Sequence, residues 1–240
     1  MKPPESSGLT GRGVRVAIID SGVNPAHPHV GGVAGGIAIS PAGDSSIYLD
    51  YLGHGTAVAG AIREKAPEAE LFAVKVFDRA LSTNIDTLLR AIEWCLARDM
   101  HVINLSLGTA NPEHRARFEP AIERAAEAGV AVVAALEIAG QESLPGCLSS
   151  VIAVRLDWHC PRDAYRCEMA GSHPVFLASG YPRSIPGVSA ERNLSGISFA
   201  VANMTGFVAR ARQVCQNGSL GELERLLTAG AMKEGRAPRA

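Results

Sequence analysis

The sequence predicts an α/β fold of three layers, a mostly parallel sheet with helices on both faces. Short strand-like runs that are apolar throughout alternate with longer runs of helical period. The chain of 240 residues carries no internal repeat, low-complexity block or Pro/Gly/Ser linker that would divide it. Its composition, 47% hydrophobic and 20% charged, is that of a globular chain. A domain this size buries roughly three quarters of its unfolded surface. One domain over residues 1–240 is therefore expected, with the charged or Pro-rich ends, 1–7 and 233–240, as flexible tails.

The expected strands are residues 14–19, 71–77, 101–105, 130–135, 151–154 and 175–178. Between them, Ile85, Leu88, Leu89, Ile92, Cys95 and Leu96 repeat at helical spacing, with Thr83 or Asn84 to cap the start. A second helix is expected over 112–128, with Pro112 near its start and Gly129 just past its end. Parallel sheets place ligands beyond the carboxyl ends of their strands, so functional residues are sought there.

Composition also narrows the function. A formal net charge of −1 supplies no basic field for phosphates, which argues against a nucleic-acid partner. No apolar run approaches the ~18–20 residues that cross a bilayer, so no membrane partner is expected. Five cysteines, Cys95, Cys147, Cys160, Cys167 and Cys215, are an odd count, mostly within apolar runs. They read as reduced core thiols. With no apolar signal core at the N-terminus, a cytoplasmic location is expected, although a leader removed earlier would leave the same sequence.

Three residues suit one site. Asp20 ends the first strand in Val16-Ala17-Ile18-Ile19-Asp20-Ser21-Gly22, at the carboxyl edge of the sheet; alone it is as readily a turn-former. His54 lies in Gly53-His54-Gly55-Thr56, where small residues imply a tightly packed helix start; alone it reads as a core or capping histidine. Ser198 lies in Ser195-Gly196-Ile197-Ser198-Phe199-Ala200, at a helix N-terminus whose N–H groups and dipole favour nearby negative charge. Together they supply a nucleophile, a base to take its proton and a carboxylate to orient that base.

Over about residues 8–215 the chain resembles the subtilisin-like serine peptidases, or subtilases, whose chain order is also Asp, His, Ser. The lead-in Gly8 to Val14, the His27-Pro28 pair, Gly53-His54-Gly55-Thr56 and Gly196 to Gly206 are similar to family segments. So are Ala73 to Val76, Val102 to Gly108 and Ser150 to Val154. The resemblance implies a subtilisin-like fold and a serine endopeptidase acting on a peptide or protein substrate. Ser198 is then the nucleophile, His54 the base and Asp20 the orienting carboxylate. Ser106, Leu107 and Gly108 resemble the edge that pairs with extended substrate backbone.

The chain departs from the family where an oxyanion-stabilising Asn usually follows the strand at 130–135. Here Leu136-Glu137-Ile138 replaces the Ala-Gly-Asn context, with Ile138 at the Asn position. Three readings stand open. A buried, protonated Glu137 donates to the oxyanion; or Glu137 lines the specificity pocket and favours a basic side chain; or the site is impaired or redirected. The segment after Gly60 is shorter than one that often holds calcium in secreted relatives, so no metal or other cofactor is expected. Residues 158–167, with Cys160 and Cys167, read as a solvent-facing loop whose Arg162 and Arg166 reach acidic substrate groups. A serine endopeptidase acting through an acyl-enzyme on Ser198 is the leading expectation, with processing or maturation as one role open to it. A peptide-binding pseudopeptidase and a peptide cyclase or ligase are the alternatives.

Overall fold

A computed structural model describes residues 8–216 and 218–232, and the expected tails lie outside them. Each apolar run forms a strand: β1 (Arg15–Asp20), β4 (Glu70–Lys75), β5 (Val102–Leu105), β6 (Ala131–Ala135), β9 (Ile152–Leu156) and β11 (His173–Ala178). With β2 (Gly35–Ser40), β3 (Gly43–Ser45) and β10 (Tyr165–Ala170) they make a nine-stranded sheet in the order β10-β11-β9-β6-β5-β1-β4-β2-β3. Only the outermost pairs, β10 with β11 and β2 with β3, are antiparallel. A separate short hairpin joins β7 (Glu137–Ile138) and β8 (Gln141–Glu142).

Side chains alternate across each strand, so both faces of the sheet need cover. Val16 and Ile18 of β1 point into one core beneath α1 (His54–Lys65), α4 (Ile197–Val214) and α5 (Leu220–Gly230). Ala17 and Ile19 point into the other, beneath α2 (Ile85–Leu96) and α3 (Arg115–Glu127). Asn84 caps α2 by accepting from the Thr87 N–H at 2.9 Å, as its spacing predicts. The helix expected over 112–128 is divided: a single tight turn, Pro112–His114, precedes α3, and Gly129 follows with φ +73°.

Residues 158–167 differ from expectation. Their end enters β10 and Cys160 is buried; Cys160 and Cys167, like the other three cysteines, are the free thiols that the sequence suggests. Burial, reinforced by the Asp157 charge, pushes the Cys160 thiol up to about 11, which keeps it protonated and unreactive at neutral pH. Arg162 pairs with Glu64, and Arg166 with Asp157 at 2.8 Å, so both guanidiniums are engaged within the fold.

Where α1 ends, Arg63 ties three segments together. Its Nε donates to Val30 O at 2.9 Å, and Nη2 to Gly32 O at 3.2 Å. Nη1 donates to Pro67 O at 2.9 Å and Ala69 O at 2.7 Å. A fixed side-chain cation thus gathers four backbone carbonyls around the short 66–69 connection. Arg63→Ala strips these charged donors from half-buried acceptors and is expected to cost about 2–4 kcal/mol in urea unfolding. A chelator is expected to leave the melting temperature of the unmodified protein unchanged.

Candidate active site

Strand β1 lies between β4 and β5, where the chain switches from building one side of the sheet to the other. Asp20, fully buried, closes β1 at this point. The chain turns at Gly22 (φ +99°), where a Cβ would meet Tyr48 O at 2.3 Å. His54 opens α1, and the next residue is the close approach. A Cβ on Gly55 would lie 2.2 Å from Gly22 O and 3.2 Å from Asp20 Oδ1. The helix start therefore presses directly onto the turn after β1.

That contact sets His54 Nδ1 at 2.7 Å from Asp20 Oδ1, which also accepts the Ser21 N–H at 2.7 Å. A carboxylate only accepts, so Nδ1 carries the proton and Nε2 keeps a lone pair for a substrate or nucleophile. Burial on its own would lower the His54 pKa. The hydrogen bond and charge of Asp20, with the charge of Asp50, outweigh it and hold the pKa above the ordinary 6.5.

Asp50 had no role in the sequence reading, yet it fastens this helix start. Its Oδ1 accepts from Ser21 Oγ and from the N–H groups of Leu52 and Gly53, each at 2.9 Å. Its Oδ2 accepts from Thr56 N–H at 2.8 Å and Thr56 Oγ1 at 2.6 Å. Ser21 Oγ in turn accepts the Gly55 N–H at 2.9 Å. A carboxylate in the first-turn region also suits the positive end of α1.

Ser198 stands in the first turn of α4, where N–H groups have no intrahelical acceptor. Its Oγ donates to Ser106 O at 3.1 Å and not to His54. The neighbouring Phe199 ring packs against His54, with centroids 5.5 Å apart. The structure thus joins Asp20 and His54 directly and brings the Ser198 turn against them with the hydroxyl parked on Ser106. A hydroxyl carries one proton, so a bond to Nε2 requires it to leave Ser106 O.

A buried polar chain fixes α4 to β5. Thr205 Oγ1 donates to Asn104 Oδ1 at 2.9 Å, and Asn104 Nδ2 donates to Ser106 Oγ at 2.8 Å. Ser106 Oγ reaches Ser198 O at 3.3 Å. An Asn inside the apolar run 102–105 was the available signal for this connection. Beyond Ser106, Leu107 and Gly108 line a cavity of about 330 Å³ with Phe77, Leu81 and Phe118. A Cβ on Gly108 would meet Ser143 Oγ at 2.3 Å, and Thr109 pairs antiparallel with Leu144.

Glu137 does not meet the condition for an oxyanion donor. It lies in the β7–β8 hairpin, its side chain 39% exposed, with Oε1 3.5 Å from Arg155 Nε. The oxyanion reading requires a buried Glu137, and the side chain is instead partly exposed and faces Arg155. No group of three or more His, Cys, Asp or Glu suited to a metal occurs among the described residues.

A parallel sheet with Asp20, His54 and Ser198 at the rim of its central strands defines the subtilase class, and the chain belongs to that family. The Subtilase family model matches residues 11–155, which include Asp20 and His54. Subtilisin Savinase of Lederbergia lenta is 35% identical over 218 residues, covering 86% of this chain and 78% of the relative. M-protease of Shouchella clausii (strain KSM-K16) is 35% identical over the same length, and there the chain spans 56% of the relative. A cold-adapted subtilisin-like serine proteinase shares the fold at a TM-score of 0.73 and 22% identity, over 92% of this chain and 83% of that one.

The His54 environment predicts a pH dependence. Loss of the neutral base should make kcat/KM fall with acidification through a value above 6.5, since the pKa is raised. Asp20→Asn removes two causes of that rise. It should move the acid limb to lower pH while cutting kcat by about 10⁴ through loss of the correct tautomer. Rate–pH profiles of both proteins check this.

Proposed function

We propose that this chain is a serine endopeptidase acting through an acyl-enzyme on Ser198. The observation that carries the reading is the 2.7 Å contact from Asp20 to His54, with Ser198 at the adjoining helix start. After rotating from Ser106, Ser198 Oγ attacks the substrate carbonyl carbon while His54 Nε2 takes its proton. The tetrahedral intermediate collapses as the imidazolium returns that proton to the leaving amine. Water then attacks the ester with His54 again as base, releasing the acid and restoring Ser198. Asp20 keeps the tautomer and stabilises the imidazolium throughout.

The Ser198 N–H and the α4 dipole support the developing oxyanion. With Ile138 where the family has Asn, one donor is missing, and a turnover about 10²–10³ below a complete site follows. A slow enzyme with a dedicated peptide or protein substrate, in a processing or maturation role, fits this chemistry. The substrate lies extended along Ser106, Leu107 and Gly108. The unpaired thiols favour a reducing, cytoplasmic setting.

The hydroxyl parked on Ser106, together with the absent Asn, favours a second reading as a peptide-binding pseudopeptidase. Fluorophosphonate labelling separates the two. Ser198 is expected to be labelled in the unmodified protein and no label to appear in Ser198→Ala. Absence of labelling across pH would reject the enzyme. Mass spectrometry of digested peptides should show products that have gained water, whereas a cyclase or ligase would give products without it.

Glu137 and Glu168 share one cation, Arg155, at 3.5 and 3.2 Å, which leaves the hairpin acidic. A preference of about threefold for Lys or Arg before the scissile bond is expected from such exposed charges. It should vanish in Glu137→Gln when matched peptides are compared.

A further inference from the structure

A second cavity, of about 430 Å³, flanks the site, and none of its lining residues borders the cavity at Leu107 and Gly108. Gly53 and Ala57, on either side of the α1 start, form one wall. Arg183, Arg192 and Leu194, on the approach to Ser198, form the other. The first cavity therefore adjoins the site at Leu107 and Gly108, and the second adjoins it at the α1 start, around His54. On the reading above, the acyl half of a substrate lies along Ser106 to Gly108. The leaving half, whose amine takes a proton from His54, departs past the α1 start into the second cavity.

The chemistry of that cavity is cationic. The Arg183 guanidinium makes a single hydrogen bond, from Nη1 to His29 O at 3.3 Å, and Arg192 lies exposed at the rim. Among the described residues neither has a carboxylate within ion-pair distance. Arg12, Arg90, Arg117, Arg124, Arg155 and Arg162 all do. His27 Nδ1 accepts the His29 N–H at 3.2 Å, which leaves its Nε2 to carry the ring proton as a further donor. One carboxylate, Asp50, does line the cavity, but both its oxygens are filled by five donors around the α1 start. Ile185 and Leu194 add an apolar wall suited to a side-chain stem.

We infer that this cavity selects a carboxylate in the leaving half of the substrate, an Asp or Glu side chain within a few residues after the cut, held by Arg183 and Arg192. The inference rests on the endopeptidase reading, which names no substrate of its own. Because the guanidiniums are partly solvated, their effect is on selectivity and is screened by salt.

The test is digestion of a complex peptide pool, with the new N-terminal fragments read by mass spectrometry. Within the first few residues after the cut, Asp and Glu are expected over Asn and Gln by about fivefold. The double variant Arg183→Ala/Arg192→Ala should lose that ratio, and Arg183→Lys/Arg192→Lys should retain most of it. A pool with amidated C-termini separates a side-chain carboxylate from a free chain end; a ratio that survives amidation assigns the side chain, and one that disappears overturns it. No enrichment, or enrichment untouched in the Ala variant, also overturns the inference. If nothing is cut, the endopeptidase reading fails and the site is judged by binding. The pool retained on Ser198→Ala protein should then show the same acidic enrichment, lost on adding the two Ala substitutions, and equal retention rejects it.

Discussion

The site depends on how closely one helix end approaches one turn. Asp20 and His54 can share a proton at 2.7 Å only because Gly55 lets α1 settle on the carbonyl of Gly22. Any side chain at position 55 would meet that carbonyl, and displacing α1 by even an ångström would stretch the Asp20–His54 bond past useful length. The approach is held in place by Asp50 and Ser21, whose oxygens take up the free N–H groups of the helix start. Packing sets the distance, and hydrogen bonds keep it.

The same economy of charge recurs away from the site. Arg63 spends its guanidinium on four carbonyls at the end of α1. Arg212, 1% exposed, donates to the carbonyls of Gly129, Cys215 and Gly218 where α4 ends. A buried charge without an opposite charge survives when several backbone dipoles converge on it. Both arginines stand at helix C-termini, where cations also oppose the helix dipole. Connections that a chain of this size would otherwise leave to loop entropy are thereby pinned.

Six strands and α2 were legible because their residues are apolar on both faces or at helical spacing, and the motifs around Asp20, His54 and Ser198 carried the family. The missed elements lack those signals. β2 opens on Gly35-Gly36, β3 is fully exposed, and β10 runs Tyr-Arg-Cys-Glu-Met-Ala at an edge where only its first residue is buried. Edge strands bury one face at most, so periodicity fades there. Asp50 was illegible as a site residue for a different reason: it acts on backbone N–H groups and on Ser21 and Thr56, contacts that no local pattern records. Asn104 left one signal, a polar residue inside an apolar strand, that does not name its partner Thr205. Glu137 shows the limit of reading by position. Counting positions from Gly129 gives it a place in the chain, but its environment depends on Arg155, eighteen positions on.

Two features oppose catalysis, and their sizes differ. Freeing the Ser198 hydroxyl from Ser106 O breaks one neutral hydrogen bond, worth about 1 kcal/mol net, or roughly fivefold in rate. The attacking hydroxyl recovers most of that by bonding His54 Nε2 instead. A missing oxyanion donor costs about 10²–10³ and is recovered by nothing else in view, because its effect is felt only as charge develops in the transition state. On the endopeptidase reading proposed above, the resting rotamer of Ser198 is therefore a minor matter, and a missing oxyanion donor at position 138 is the larger cost. Binding energy from the substrate can offset such a loss only when it is realised in the transition state. A site of this kind gains most from a substrate held along its whole length, on both sides of the scissile bond.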